Sequence, residues 1–161
     1  MRKIFNHALY FGVIIILCLN MWGCKKSENK EKPAGVCTIS VECAKILDNM
    51  DKLDKSVKEY VPKSGVILEK KSAEIYKGDS VYDVLKRELK KENILMEASF
   101  TGNSAYIEGI DNIYEFSCGE LSGWMYSVNG EYQGKSSSDY EVKDKDVIEW
   151  HYTCELGEDL Q

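Results

Sequence analysis

Residues Gly119–Tyr132 read GELSGWMYSVNGEY, and the rest of the chain can be laid out around them. Trp124, Tyr126 and Val128 alternate with Met125 and Ser127, the period of two that a strand imposes on its side chains. Asn129-Gly130 follows, a pair that tolerates positive φ at both positions and so favours a two-residue hairpin turn. Glu131–Gln133 is the expected return strand. A turn of small residues, Ser122-Gly123, stands just before the first strand. A hairpin of this kind serves either as plain core or as the wall of a pocket, and its sequence alone leaves both open.

Outward from the hairpin, the chain reads as short strands around one strong helix. Downstream come the loop Gly134–Asp139, a short strand Tyr140–Val142, a turn at Asp144-Lys145-Asp146 and a closing strand Val147–Cys154. Ile148, Trp150, Tyr152 and Cys154 share one face of that last strand. Upstream, Ser80 and Asp83 form a capping box for a helix whose apolar stripe is Val81, Val84, Leu85 and Leu89. Lys86, Arg87, Lys90 and Lys91 form its wet side. Leu95–Phe100 and Tyr106–Ile107 are strands across a Gly102-Asn103 turn, and Asp111-Asn112 turns the chain into Ile113–Phe116. Earlier still, Val36–Cys43 alternates as an amphipathic strand. A helix is expected over Ala44–Leu53, running on as far as Pro62. Val66–Leu68 and Ala73–Tyr76 read as a pair of short strands. The whole is an α+β domain, a mixed sheet packed on one main helix with an N-terminal strand-helix extension.

The first residues have a different character. Arg2 and Lys3 precede an apolar run, Ala8–Leu19, which is shorter than the ~20 residues that span a bilayer and reads as a secretion signal. It closes on Gly23-Cys24, similar to a bacterial lipobox, in which a Cys after a small residue is lipidated. The alternative is an uncleaved signal anchor. The layout expected is a lipoprotein signal peptide over 1–23, a charged, disordered tether over 24–35, and one domain over 36–161. The product would be a lipid-anchored protein on the extracytoplasmic face of the cell membrane.

Composition narrows the partners. The chain carries 21 Lys and Arg against 27 Asp and Glu, a net charge of −6. Past the tether it has no basic run, so no nucleic acid is expected as a partner. Cys18 falls in the signal and Cys24 at the anchor, which leaves Cys37, Cys43, Cys118 and Cys154. Four thiols in an exported domain suggest two disulfides, with three connectivities open. Zinc is the alternative, but the spacing lacks tight Cys-x2–4-Cys knuckles, so no metal is expected.

Catalytic motifs have little support. His151 is the one histidine beyond the signal and alternates within a strand. Ser122 lacks the Gly-x-Ser-x-Gly turn of a hydrolase nucleophile, and no glycine-rich phosphate loop is present. An enzyme is not expected.

Three stretches together carry a resemblance: GDSVYDVL at 78–85, SGWMYSVNG at 122–130 and DVIEWHY at 146–152. Across roughly 72–153 the chain resembles the transcobalamin-like C-terminal domain, a bacterial family of the soluble-ligand-binding β-grasp type related to the small domain of vitamin B12 carriers. A β-grasp implies that the first and last strands, Val36–Cys43 and Val147–Cys154, pair in parallel. That pairing would bring Cys43 to Cys154 and leave Cys37 for Cys118. The resemblance further implies a cobalamin, another corrinoid or a similar large cofactor as bound ligand. A membrane importer, or a helical corrinoid-binding protein that supplies the other half of the site, is the implied partner, and a monomer is expected. Candidate contacts are Ser122, Gly123, Trp124, Tyr126, Asn129, Tyr132, Ser136, Ser137 and Ser138. If Trp124 and Tyr126 face the core, Tyr132 and the Ser136–Ser138 loop are the better candidates. The alternative is a cell-surface module that docks another protein and takes no small molecule.

Overall fold

Two strands far apart in sequence, one near each end of the domain, lie side by side in the same direction. Strand β1 (Gly35–Glu42) pairs in parallel with β8 (Val147–Thr153), from Thr38 opposite Val147 to Glu42 opposite His151. This comes from a computed structural model of the chain, which describes residues 32–161. The expected signal segment, Cys24 and most of the tether lie outside the described residues. Among the described residues no helix is long and apolar enough to cross a membrane.

On its other side β1 pairs antiparallel with β2 (Val66–Ile75). Beyond β8 come β6 (Gly123–Val128) and β7 (Glu131–Tyr132), giving a five-stranded sheet ordered β2-β1-β8-β6-β7. A second sheet of three strands holds β3 (Met96–Thr101), β4 (Ser104–Ile110) and β5 (Ile113–Tyr114). Helix α1 (Val81–Lys91) lies between β2 and β3 in the chain. Among the described residues the architecture is α+β, with one mixed sheet, one antiparallel sheet and one α-helix.

The alternation read in the sequence is what builds the core. Cys37, Ile39 and Val41 of β1, Ile148, Trp150 and Tyr152 of β8, and Trp124, Tyr126 and Val128 of β6 are all buried. They form one cluster with Val81, Val84, Leu85 and Leu89 of α1. Each fully buried aliphatic side chain of this kind stabilises the fold by ~1.5–3 kcal/mol relative to exposure. The opposite face of the large sheet carries Ser40, Glu42, Glu149 and His151, half-buried and polar.

The helix is held at its start by the expected capping box. Ser80 Oγ accepts from Asp83 N–H at 3.2 Å, and the Asp83 carboxylate accepts from Ser80 N–H at 3.0 Å. Its one buried carboxylate, Glu88, pairs with Lys91 at 2.6 Å and Lys71 of β2 at 3.5 Å, which ties the helix to the sheet edge. The turns read at Asn129-Gly130 and Asp111-Asn112 occur on left-handed backbone. Asn129 and Gly130 have φ of 55° and 81°, and Asp111 and Asn112 have φ of 51° and 64°.

Three expected elements differ, one of them the strand at Tyr140–Val142, which makes only a single bridge, Glu141 to Ser80. The helix over Ala44–Leu53 is not formed; a 3-10 segment covers Ala44–Asp48 and another Lys58–Tyr60. Asn49 donates its side-chain amide to Lys45 O, and Asp54 Oδ1 takes both Ser56 N–H and Ser56 O–H. Short polar side chains that bond their own backbone compete with helical hydrogen bonds. Val66–Leu68 and Ala73–Tyr76 are not a pair but the two ends of one strand, β2. The charged run between them, Glu69-Lys70-Lys71, lies within this edge strand. There charge is tolerated and discourages edge-to-edge pairing, and a bulge opposite Ser40 absorbs the irregularity.

The cysteine pairing also differs. Cys37, Cys43, Cys118 and Cys154 are all buried and all unbonded. Cys37 precedes Thr38, which faces Val147 at the start of β8, whereas Cys154 follows the last residue of β8. That puts Cys37 and Cys154 at opposite ends of a strand ~23 Å long. Cys118 lies beside Cys154, so Cys37 cannot reach Cys118. The reason is strand order: β6 inserts next to β8 and carries the preceding segment, with Cys118, to the end of β8.

Candidate functional site

The outer edge of β6 is only half covered. β7 pairs with Ser127 and Val128 alone, so Gly123–Tyr126 has no strand neighbour on that side. Two adjoining cavities lie along this open edge. One, of about 280 Å3, is lined by Tyr106, Phe116, Leu121, Trp124, Met125 and Leu156 among others. The second, of about 170 Å3, shares Tyr106, Trp124 and Met125 and adds Tyr126, Trp150, Ser136 and Ser137. Together they make one trough across the strand edge.

The side chains at its rim are unusual in being both apolar and exposed. Phe116 is 62%, Leu121 55%, Leu156 67% and Tyr106 52% exposed. Single exposed apolar residues are ordinary, but a convergent group marks an interaction site. Phe116 and Leu156 also sit in the left-handed region, with φ of 64° and 54°. That conformation is costly for a residue with a Cβ, and such strain clusters at functional positions. The backbone fixes them there. Phe116 N–H donates to Ser122 O at 3.0 Å, and Leu156 N–H to Leu121 O at 2.9 Å. Gly157, at φ 92°, lies so close to β6 that a Cβ there would meet Met125 Sδ at 2.9 Å.

Of the nine residues singled out in the sequence, six line these two cavities, and Ser138, Asn129 and Tyr132 line neither. Trp124, Tyr126, Ser136 and Ser137 come together around the smaller cavity, and Ser122, Gly123 and Trp124 around the larger. Most of their polar atoms already have internal partners. Trp124 Nε1–H donates to Ile113 O at 2.9 Å, and its ring packs edge-on against Tyr152 at 5.2 Å. Tyr126 O–H donates to Lys135 O at 3.0 Å and so holds the Gly134–Asp139 loop. Ser122 Oγ accepts from Cys118 N–H and bonds the Tyr152 hydroxyl at 2.9 Å. Ser136 O–H donates to Ala105 O, and Ser138 Oγ takes Ala105 N–H while donating to Asn103 O. The serine loop is thereby fastened to the β3–β4 hairpin.

Asn129 and Tyr132 lie away from the trough. Asn129 bonds Asp146 Oδ1 and Val147 N–H, each at 2.9 Å, and locks the hairpin tip to β8. Tyr132 pairs across from Ser127, so it stands on the polar face of the sheet. Its hydroxyl bonds His151 Nδ1 at 2.6 Å, and His151 Nε2 lies 3.5 Å from Glu42.

Phe116, Leu121, Leu156, Tyr106 and Met125 were not singled out in the sequence. Phe116 reads there as the end of a strand and Leu156 as a residue past one. Nothing local signals that two distant turns will present them on the same rim. Trp150 is 2% exposed, its Nε1 has no hydrogen-bond partner, and it lines the smaller cavity. Burial pushes the Tyr126 and Tyr152 hydroxyls up to about 12 each, so both are neutral donors at ordinary pH. Among the described residues no group of three or more His, Cys, Asp or Glu is placed to hold a metal.

Neither cavity alone reaches the ~300–1,000 Å3 usual for a site that encloses a small ligand, and both lie along a strand edge that no neighbouring strand covers. The trough is therefore a wall. It can cover one apolar face of a ligand or partner and leaves the other face bare.

Comparison with known proteins bears on the fold. The family model for a domain of unknown function, DUF4430, matches residues 78–154, from the turn before α1 to the end of β8. Among curated proteins none matches the sequence. A crystal structure of haptocorrin in complex with Cbi is similar, with a TM-score of 0.53 at 10% identity over 83% of this chain. This chain spans only 29% of the haptocorrin chain. A protein from Ruminococcus gnavus, described as a proposed metal binder, aligns over 74% of this chain and 96% of its own. Its identity is 15% and its TM-score 0.44. The likeness to haptocorrin is one of fold.

Proposed function

We propose that this chain is a non-catalytic ligand-binding protein whose β6 trough takes one apolar face of a corrinoid or a similarly large cofactor. In this reading it is a monomer held by a lipid at Cys24 on the extracytoplasmic side of the membrane. A β-grasp core carries the trough, and a helical corrinoid-binding partner or an importer covers the ligand's other face. The observation that carries the proposal is the rim of Phe116, Leu121, Leu156 and Tyr106, two of them held exposed on left-handed backbone. Two further facts support it. The trough lies along a strand edge that leaves one side of a bound cofactor uncovered, and haptocorrin, a protein of similar fold solved with Cbi, is a longer chain of which this one spans 29%.

Titration with cobalamin tests this, read by the fluorescence of Trp124, which lines both cavities. Saturable quenching, lost when Leu121 and Leu156 are both made serine, is the expected result. No quenching and no calorimetric heat at high micromolar cobalamin would remove the corrinoid from the proposal. A second reading rests on the uncovered edge of Gly123–Tyr126, since an open strand edge accepts an added strand from a partner protein. It predicts capture of a protein partner that cobalamin neither promotes nor blocks.

A further inference from the structure

Cys118 and Cys154 come together at one end of the large sheet, and the register shows how. Gly123 faces Thr153 across β6 and β8, so the next step of the ladder sets Ser122 against Cys154. Ser122 Oγ in turn accepts the N–H of Cys118 at 3.0 Å. Cys154 N–H is held from the other side by the Asp159 carboxylate at 2.9 Å. Both cysteines line one cavity of about 480 Å3 together with Lys52, Gly119, Leu121 and Leu156. Each thiol perturbs the ionisation of the other. Cys43 shares the buried face of β1 but is not among the groups that perturb Cys154.

We propose that Cys118 and Cys154 are a redox pair that closes to a disulfide by exchange with a small-molecule disulfide entering this cavity. In the first step one protein thiolate, Cys118, attacks a sulfur of the donor. A mixed disulfide forms, the donor's S–S bond breaks, and one donor thiolate leaves carrying the electron pair. In the second step the Cys154 thiolate attacks the Cys118 sulfur of the mixed disulfide and expels the second donor thiolate. The two protons lost by the protein thiols end on the two departing donor thiols. The protein pair is oxidised by two electrons and the donor disulfide is reduced by two.

Burial raises both thiols above their ordinary range, and Lys52 acts against this at each. Thiolate is therefore scarce at neutral pH and the exchange is slow there, rising with pH. The bond would join the Gly119–Leu121 turn to the end of β8. Those two segments present Leu121 and Leu156 to the trough, so the bond would fix their spacing.

The test uses the full chain, incubated with oxidised glutathione at pH 8.5, quenched with N-ethylmaleimide and mapped by mass spectrometry after proteolysis. The expected product is one linked peptide pair containing Cys118 and Cys154, with Cys37 and Cys43 recovered alkylated after unfolding. A Cys154→Ser chain should instead accumulate glutathione on Cys118 at least tenfold over the parent chain. A linkage of Cys154 to Cys43 would overturn the proposal. So would full recovery of alkylated Cys118 and Cys154 after equilibration. If Cys154→Ser does not fold, Cys118→Ser gives the mirror measurement with glutathione on Cys154. If neither folds, the linked-peptide map of the parent chain decides alone.

Discussion

Replacing Phe116 by alanine and, separately, by glycine separates what its side chain does from what its backbone costs. Both changes remove the same ring, which is 62% exposed and held at φ 64°. A phenylalanine buries about 150–250 Å2 in full, so the exposed part offers a ligand ~100–150 Å2. A one-sided wall covers about half of that, and at ~25 cal/mol per Å2 the loss on removal is about 1–2 kcal/mol, or roughly five- to thirty-fold in affinity. Alanine and glycine should lose this equally. Their stabilities should differ. A left-handed conformation costs a residue with a Cβ ~1–2 kcal/mol, while glycine loses ~0.5–1 kcal/mol more conformational entropy on folding. Glycine should thus be the more stable by about 0.5–1 kcal/mol, a rise of ~2–4 °C in the thermal midpoint for a domain of this size. Calorimetric titration with cobalamin and differential scanning calorimetry read the two effects separately. An alanine chain more stable than the glycine chain would show that the backbone at 116 is not strained. Unchanged affinity in both would show that the ring is not part of the binding wall.

Three more outcomes follow from the same geometry. Leu156→Ser should weaken cobalamin binding by about 1 kcal/mol, roughly fivefold, because it replaces an exposed rim side chain, while circular dichroism stays unchanged. Asn129→Ala should destabilise the domain by about 1–3 kcal/mol, since it leaves Asp146 and Val147 N–H without their partner and puts alanine at positive φ; urea unfolding measures it. Alkaline pH should destabilise the chain. The Tyr126 and Tyr152 hydroxyls are raised to about 12 by burial against an ordinary value near 10 in the unfolded chain. Their contribution is whole below pH 10 and is lost as pH climbs from 10 to 12, because the unfolded state releases these protons first. Tyr126→Phe should flatten the pH dependence of urea stability in that window by about one proton.

The order of elements and the faces of the long strands were legible in the sequence because they depend on local chemistry. Alternation in Val36–Cys43, Trp124–Val128 and Val147–Cys154 set the buried side of each. The Ser80–Asp83 box set the start of the helix, and Asn129-Gly130 set the hairpin. These rules act within a few residues and survive any tertiary arrangement. The helix expected after Cys43 fails for a related reason: its apolar spacing is helical, but Asn49, Asp54 and Ser56 offer the backbone other partners. The split of β2 fails because a charged triplet suits an edge strand as well as a turn, and only sheet order makes it an edge.

What the sequence by itself determined, then, is an α+β domain with a core of known faces and a rigid aromatic hairpin. Tertiary structure alone decided where that hairpin meets the rest. It drew the serine loop into contacts with the β3–β4 hairpin and sent Tyr132 to the far face of the sheet. It set Cys118 beside Cys154 and gathered Phe116, Leu121 and Leu156 from three separate turns onto one rim. The physical reason is distance along the chain. Residues that meet only through sheet order and loop closure carry no periodic or local signal of their meeting.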